Sequence, residues 1–311
     1  MGLTALAAVG LAATLDAAFA EPPSRVHPIA LFGRVVGAVE REWTRPRAVG
    51  VAVAVVLPLA VAAVAWGVVT GAGVLGGSGG VTPVATAVVA GLALFSLTSL
   101  RMLVAVASEV VDAAERDADA ARESAIALVG RDTSSLSAAE IRSAAVESAA
   151  ENLADGLVAP LLAFAIGAQG SVAVGVAAAA WVKGVNTLDS MLGYPDRPVG
   201  TASARLDDAV MWVPARVSAV LLAVAAGSPR SLVDARRWVR VPASPNSGWP
   251  MATAAAALGV RLEKSGAYTL NSDAALPSLD EARRGVRAVA VAGALAFLLA
   301  GAAVAVARVG P

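Results

Sequence analysis

Four carboxylates recur at helical spacing along one short stretch: Glu140, Glu147, Glu151 and Asp155. At 100° per residue they fall within an arc of roughly 80°, and Ile141, Ala145, Ala149 and Leu153 take the opposite side. Ser137 with Glu140 three residues later is a capping box, so the spacing predicts a helix that starts there. No lysine stands four residues after any of these acids, as a salted surface helix would have it. The helix runs instead into Leu157-Val158-Ala159-Pro160-Leu161-Leu162, which is membrane-like. Acids stacked where water thins out cost roughly a few kcal/mol each unless something positive sits among them. A divalent cation, an arginine cluster or a cationic substrate group answers that need. A solvated helix face at the membrane surface is the alternative.

The chain that must position these acids is 57% hydrophobic and only 15% charged, with a mean hydropathy of +0.70. Soluble domains carry about 25% charged residues, so the composition predicts an all-α, polytopic integral membrane protein. A net charge of zero gives no nucleic-acid footprint. The absence of cysteine excludes disulfides, thiolate catalysis and cysteine-ligated zinc or iron–sulfur sites. With His27 the only histidine, a multi-histidine metal centre within one chain is excluded too.

Residues 2–20 read as a first transmembrane helix. Ala18-Phe19-Ala20 resembles a signal-peptidase site, but no basic residue precedes the apolar run and Asp16 interrupts it. Further apolar runs cover 48–70, 83–104, 153–168, 170–183, 209–227 and 286–307. Residues 105–150 read as a polar, amphipathic helical arm, and 228–285 as the largest soluble stretch, both parts of a single domain over 1–311. Gly71 to Gly80 reads as a short uncharged turn rather than a phosphate loop, since no lysine follows. The loops 21–47, 101–150, 184–208 and 228–285 carry Arg or Lys and are expected on the cytoplasmic side of the cell membrane, in contact with its lipid. Parity then requires 209–227, with Pro214 and Arg216, to be broken or non-spanning.

Polar clusters gather at the ends of the apolar runs on that predicted face. They are His27-Pro28 with Gly33-Arg34, Gly130-Arg131-Asp132-Thr133, Lys183 with Asn186-Thr187-Leu188-Asp189-Ser190, Ser203-Ala204-Arg205-Leu206-Asp207-Asp208, and Ser244-Pro245-Asn246 with Gly248-Trp249. Each has a bland alternative: a helix cap for Asp207-Asp208, turns for Asn186, Asp189 and Ser-Pro-Asn, a snorkelling stem for Lys183, a surface role for His27. Together they suit Mg²⁺, which takes oxygen ligands and bridges to phosphate, and arginine binding of phosphate. That chemistry fits a membrane-embedded, Mg²⁺-dependent enzyme handling phosphates. A transporter would show two matching halves with broken helices, and none is visible. A prenyltransferase would show a second aspartate-rich motif beside Asp207-Asp208.

The ordered motifs resemble the CobD/CbiB family of cobalamin biosynthesis, integral-membrane adenosylcobinamide-phosphate synthases. The resemblance rests on the clusters above together with Glu147, Glu151-Asn152-Leu153-Ala154-Asp155-Gly156, Ala159-Pro160, Gly193-Tyr194, Pro214-Ala215-Arg216 and Ala257-Leu258-Gly259-Val260. Ala20-Glu21-Pro22 stands where the family often has Gly-Asp-Pro, Pro242 stands where a histidine is common, and Glu263-Lys264-Ser265-Gly266 replaces a glycine-rich stretch. The resemblance implies an amide ligation of adenosylcobyric acid, a corrinoid, with (R)-1-amino-2-propanol or its O-phosphate, using ATP and Mg²⁺. It is compatible with association with other cobalamin-pathway enzymes. On that basis Glu147, Glu151, Asp155 and Asp189 are expected to hold Mg²⁺ or a protonated amine. Lys183, Arg131 and Arg205 are expected to stabilise phosphate charge, and Asp207, Asp208 or His27 to deprotonate the amine. Arg34, Asp132, Asn152, Asn186, Ser244 and Asn246 are candidate contacts to the nucleotide and corrinoid. No Gly-x-x-x-x-Gly-Lys loop marks a nucleotide site.

Overall fold

The computed structural model describes residues 2–23, 25–76, 81–129, 133–194 and 196–306. The chain is mostly helical, with almost no sheet. Its helices are α1 (Gly2–Phe19), α2 (Pro28–Gly37), α3 (Pro46–Leu75), α4 (Val81–Leu97), α5 (Arg101–Arg116), α6 (Ala118–Val129) and α7 (Ala138–Leu153). A π-turn, Ala154–Val158, leads into α8 (Ala159–Gly167), then α9 (Val172–Leu192), a 3-10 turn (Pro198–Gly200), α10 (Thr201–Val210) and α11 (Trp212–Ala225). Last come α12 (Ser231–Ala235), α13 (Gly248–Leu258), α14 (Leu279–Val306) and, before α14, an antiparallel hairpin of β1 (Leu262–Lys264) and β2 (Tyr268–Leu270). The hairpin is a small departure from the all-α expectation. Among the described residues five helical segments are long and apolar enough to cross a membrane: Gly2–Phe19, Pro46–Leu75, Thr82–Arg116, Ala138–Gly167 and Leu279–Val306. The protein is therefore of the multi-pass type.

The residues fall into two compact units. The first comprises 1–99, 155–211 and 296–311. Within it α9 is the hub: α2, α3, α4, α8 and α10 all pack on it, and α1 packs on α4. Small residues permit this closeness. Gly50 of α3 lies against the Val199 carbonyl, and Gly200 against the Leu192 carbonyl, so near that a Cβ at either would overlap the opposing backbone.

The second unit comprises 100–154 and 212–295. Here α7 is the hub, packed by α5, α6, α11, α13 and β1. The capping box is present: Ser137 Oγ accepts from the Glu140 N–H at 3.3 Å, and the Glu140 carboxylate accepts from the Ser137 N–H at 2.8 Å. Replacing Ser137 by alanine removes one half of this exchange, and a thermal melt should show a loss of about 1 kcal/mol. The burial of α7 extends almost all round, from Ser143 to Ala150. The stripe-and-face picture drawn on the wheel is therefore too simple: Glu147 is itself buried.

Three boundaries differ from the sequence reading. The turn placed at 71–82 starts later, since α3 continues to Leu75 through Gly71 and Gly73; Gly77 to Gly80 lie outside the described residues. The run ending at Lys183 is not a helix end, because α9 continues for nine residues to Leu192. The expected break near 209–227 falls at Met211, between α10 and α11, leaving α11 with only 14 residues. Pro214 sits in the first turn of α11, where its missing N–H breaks no hydrogen bond.

Candidate functional site

The first unit gathers the polar residues of three chain segments around the C-terminal half of α9. Lys183, Asn186 and Asp189 stand at offsets of three on that helix, within one broad face. Their burial is set by the stripe Val185, Leu188 and Leu192, all buried, which keeps the helix in the core past the point where its hydropathy drops. Asn186 and Asp189 are therefore helical, Asp189 in the last turn of α9, and the turn alternative is overturned.

Asp155 enters from the π-turn, and Pro160 explains that turn locally. Proline has no N–H, so it cannot donate to the Gly156 carbonyl four residues earlier. The Gly156 carbonyl accepts instead from the Ser99 N–H at 3.0 Å. π-turns of this kind recur at functional sites.

Asp207 and Asp208 enter from the last turn of α10. They do not cap its N-terminus, and the carboxylates sit at the end where the helix dipole disfavours them. A pair kept there at a cost points to a use other than helix stability.

Lys183 faces Asp155, Glu21 and Asp207, in decreasing strength of interaction. Asp155 also faces Asp189, Asp207 faces Asp155, Asp189 and Asp208, and Asn186 stands as a donor toward both Asp155 and Asp207. Three carboxylates thus face one ammonium, and Asp189 and Asp208 face those carboxylates in turn. Among the described residues no salt bridge within 4.0 Å joins Lys183 to any of them. Asp207 Oδ1 is buried without a hydrogen-bond partner. An oxygen-rich, net-negative site with an unanswered carboxylate oxygen has the donor chemistry of a hard divalent cation. Among the described residues no three carboxylates or histidines lie close enough to form a metal cage by themselves.

His27 caps α2: its Nδ1 accepts from the Ile29 N–H at 3.2 Å, and its Nε2 lies 4.0 Å from Glu21. Burial lowers its basicity, Glu21 opposes that, and Lys183 reinforces it. With Nδ1 spent on the cap, Nε2 is the nitrogen left to face the site. Arg34 and Arg205 are exposed on α2 and α10. Arg131 and Asp132 lie outside the described residues; next to them, Thr133 is buried and donates to the Arg122 carbonyl at 2.6 Å.

The second unit holds the other candidates. Glu147 is buried and accepts from the Tyr268 hydroxyl of β2, so a neutral donor engages it. Glu151 is half-buried on α7. Asn152 turns back on its own helix, its Nδ2 donating to the Ser148 carbonyl at 2.9 Å. Ser244 and Asn246 form the expected turn, the Asn246 N–H donating to Ser244 Oγ at 3.3 Å. Asn246 Oδ1 accepts from Arg216 at 3.0 Å. Sequence reasoning missed Tyr268 as the partner of Glu147 and Glu21 as part of the Lys183 cluster. Glu21 stood out only as a departure from the Gly-Asp-Pro pattern, and it keeps the carboxylate of that aspartate.

The sequence model of the family described as CobD/Cbib protein matches residues 9–298. A probable cobalamin biosynthesis protein CobD of Methanothrix thermoacetophila is 34% identical over 299 residues, covering 93% of each chain. The cobalamin biosynthesis protein CobD of Geobacter metallireducens is 38% identical, covering 84% of this chain and 82% of its own. That of Klebsiella pneumoniae is 37% identical, covering 80% and 79%. No solved structure matches.

Proposed function

The chain belongs to the CobD/CbiB family of cobalamin biosynthesis, and from that premise we propose that it joins adenosylcobyric acid to (R)-1-amino-2-propanol or its O-phosphate through an amide bond, at the expense of ATP. The observation that carries this reading is the cluster in which Glu21, Asp155 and Asp207 face Lys183, with Asp189 and Asp208 beside those acids. A carboxylate is a poor acyl donor at neutral pH. Transfer of the γ-phosphoryl group from ATP to the corrinoid carboxylate gives an acyl phosphate and ADP. Attack by the amine then forms the C–N bond, breaks the C–O bond and releases phosphate.

The amine arrives as an ammonium, which the excess of carboxylates attracts. Asp207, with Oδ1 buried and unpartnered, is the acceptor for the proton it must lose. Lys183 supplies the fixed positive charge beside the transferring phosphoryl group. Asn186 donates toward both Asp155 and Asp207 and so ties the two acids to α9. Asp189 would hold Mg²⁺ together with the nucleotide, whose phosphate charge the metal would neutralise in an otherwise repulsive site. Arg34 and Arg205, exposed in the same unit, are candidates for the outer phosphates. The cell membrane, with the site on its cytoplasmic face where ATP is found, is the setting that the arginine-bearing loops favour.

The test is an assay of membranes bearing the full chain, given adenosylcobyric acid, ATP, Mg²⁺ and either amine, with the corrinoid products resolved by mass spectrometry. The expected result is one amide product formed with one ATP consumed, arrested by EDTA and restored by Mg²⁺. Asp207→Asn should lower the rate by about 100-fold or more at unchanged expression. Amide formation at the same rate without ATP, or with Asp207→Asn, would overturn the reading.

A further inference from the structure

A second concave site lies within the second unit, outside the cluster used above. It is a pocket of about 410 Å³ whose walls include Arg216, Arg240, Pro242, Pro245 and Trp249. The segment that forms it is basic, with Arg230, Arg236, Arg237 and Arg240 against Asp234. No carboxylate lines the pocket, and among the described residues neither Arg216 nor Arg240 forms an ion pair with one.

Arg216 is built in rather than draped. Its Nη1 donates to the Trp212 carbonyl at 2.7 Å and to Asn246 Oδ1 at 3.0 Å. Its guanidinium lies over the Trp212 ring at 4.2 Å and near the Trp249 ring at 5.1 Å. Asn246 is 4% exposed, and the close approach of Gly248 to the Val239 carbonyl pins the turn that carries it. Both hydrogens of Nη1 are thus spent, which leaves Nε and Nη2, one edge of the fork, for a ligand. That edge matches two oxygens of a phosphate. Two guanidiniums lining one indole- and proline-walled cavity repel each other, and an anion shared between them relieves both.

We infer that this pocket binds a phosphate group on a small organic molecule or a lipid headgroup, with Arg216 and Arg240 as its cationic contacts and Trp249 against the organic part. The inference goes beyond the ligation reading and does not depend on it, because binding can be measured without ATP or corrinoid.

The full chain is purified in a neutral detergent and equilibrium dialysis is run with radiolabelled inorganic phosphate. The same preparation is then titrated with phosphatidylglycerol in mixed micelles. The expected result is one arginine-dependent site per chain. Arg240→Gln, an exposed change at the rim, and Arg216→Lys, which keeps charge but loses the fork, should each weaken binding about tenfold or more. Arg240→Lys should retain part of it and show that the fold tolerates change there. Displacement of phosphate by phosphatidylglycerol, or saturation by the lipid alone, assigns the site to a headgroup. Phosphate binding that the lipid leaves untouched assigns it to a soluble phosphate. Failure of both probes to bind, or binding unchanged in Arg240→Gln and Arg216→Lys, overturns the inference.

Discussion

Replacing Lys183 by methionine is expected to lower amide formation by a factor of about 1,000, with the chain still expressed in the membrane. The size of the effect follows from charge. Lys183 faces Glu21, Asp155 and Asp207, so its removal takes a positive charge from beside three carboxylates that then repel the nucleotide. Methionine keeps the length and volume of the stem, so packing on α9 is preserved. A structural ion pair would predict something different from a catalytic ammonium, and a double-mutant cycle with Asp155→Asn separates them. If Lys183 only balances Asp155, the double variant recovers most of the activity. If Lys183 acts on the phosphoryl group, the double variant stays as inactive as Lys183→Met. The assay is initial rate at saturating ATP, read beside a thermal melt.

The second large effect is on folding. Gly200→Ala is expected to destabilise the chain by about 3 kcal/mol or more, at or beyond the upper end of ordinary overpacking, with folded protein lost from the membrane fraction. The backbone at Gly200 is helical, with φ −84° and ψ −8°, a conformation open to any residue. The penalty is therefore steric. The added methyl would enter the Leu192 carbonyl and crowd the Gly193 nitrogen at 2.9 Å, and neither is a side chain that could swing away. Gly50 makes the matching approach from α3 to Val199. Together these contacts clamp the C-terminal end of α9, a few residues beyond Asp189. A detergent melt should show a lower midpoint for Gly200→Ala, and normal stability would show that the clamp relaxes.

The start of α7 was legible because its signal is local: Ser137 and Glu140 carry both halves of the cap within four residues. Membrane character was legible from composition. The extension of α9 past Lys183 was legible in principle, since Val185, Leu188 and Leu192 continue an apolar stripe, but four polar residues between them, Asn186, Thr187, Asp189 and Ser190, imitate a turn. The facing of Lys183 and Asp155 was not legible, because 27 residues lie between them and Asp155 sits in a π-turn. Tyr268 escaped notice for a related reason. Its strand is three residues long, too short for alternation to register, and only Gly266, with φ +74°, marks the bend before it. Candidate residues could be named by type and neighbourhood, whereas their partners depended on packing between distant segments.

The π-turn at Ala154–Val158 sets a rule for length variation along the chain. A π-turn holds about one residue more than the α-turn it replaces, so the helix leaves it rotated by about 100° from the bearing of an unbroken wheel. Deleting one residue from this stretch would let an ordinary ladder close and would turn every later side chain of α8 to a new azimuth. An insertion or deletion of the same size beside Gly266 would change only the tip of a hairpin. Membrane helices are usually scored by hydrophobic length, which one residue hardly alters. Here the quantity that matters is phase, and a single-codon indel at Ala154–Val158 should be as damaging as the loss of a catalytic side chain.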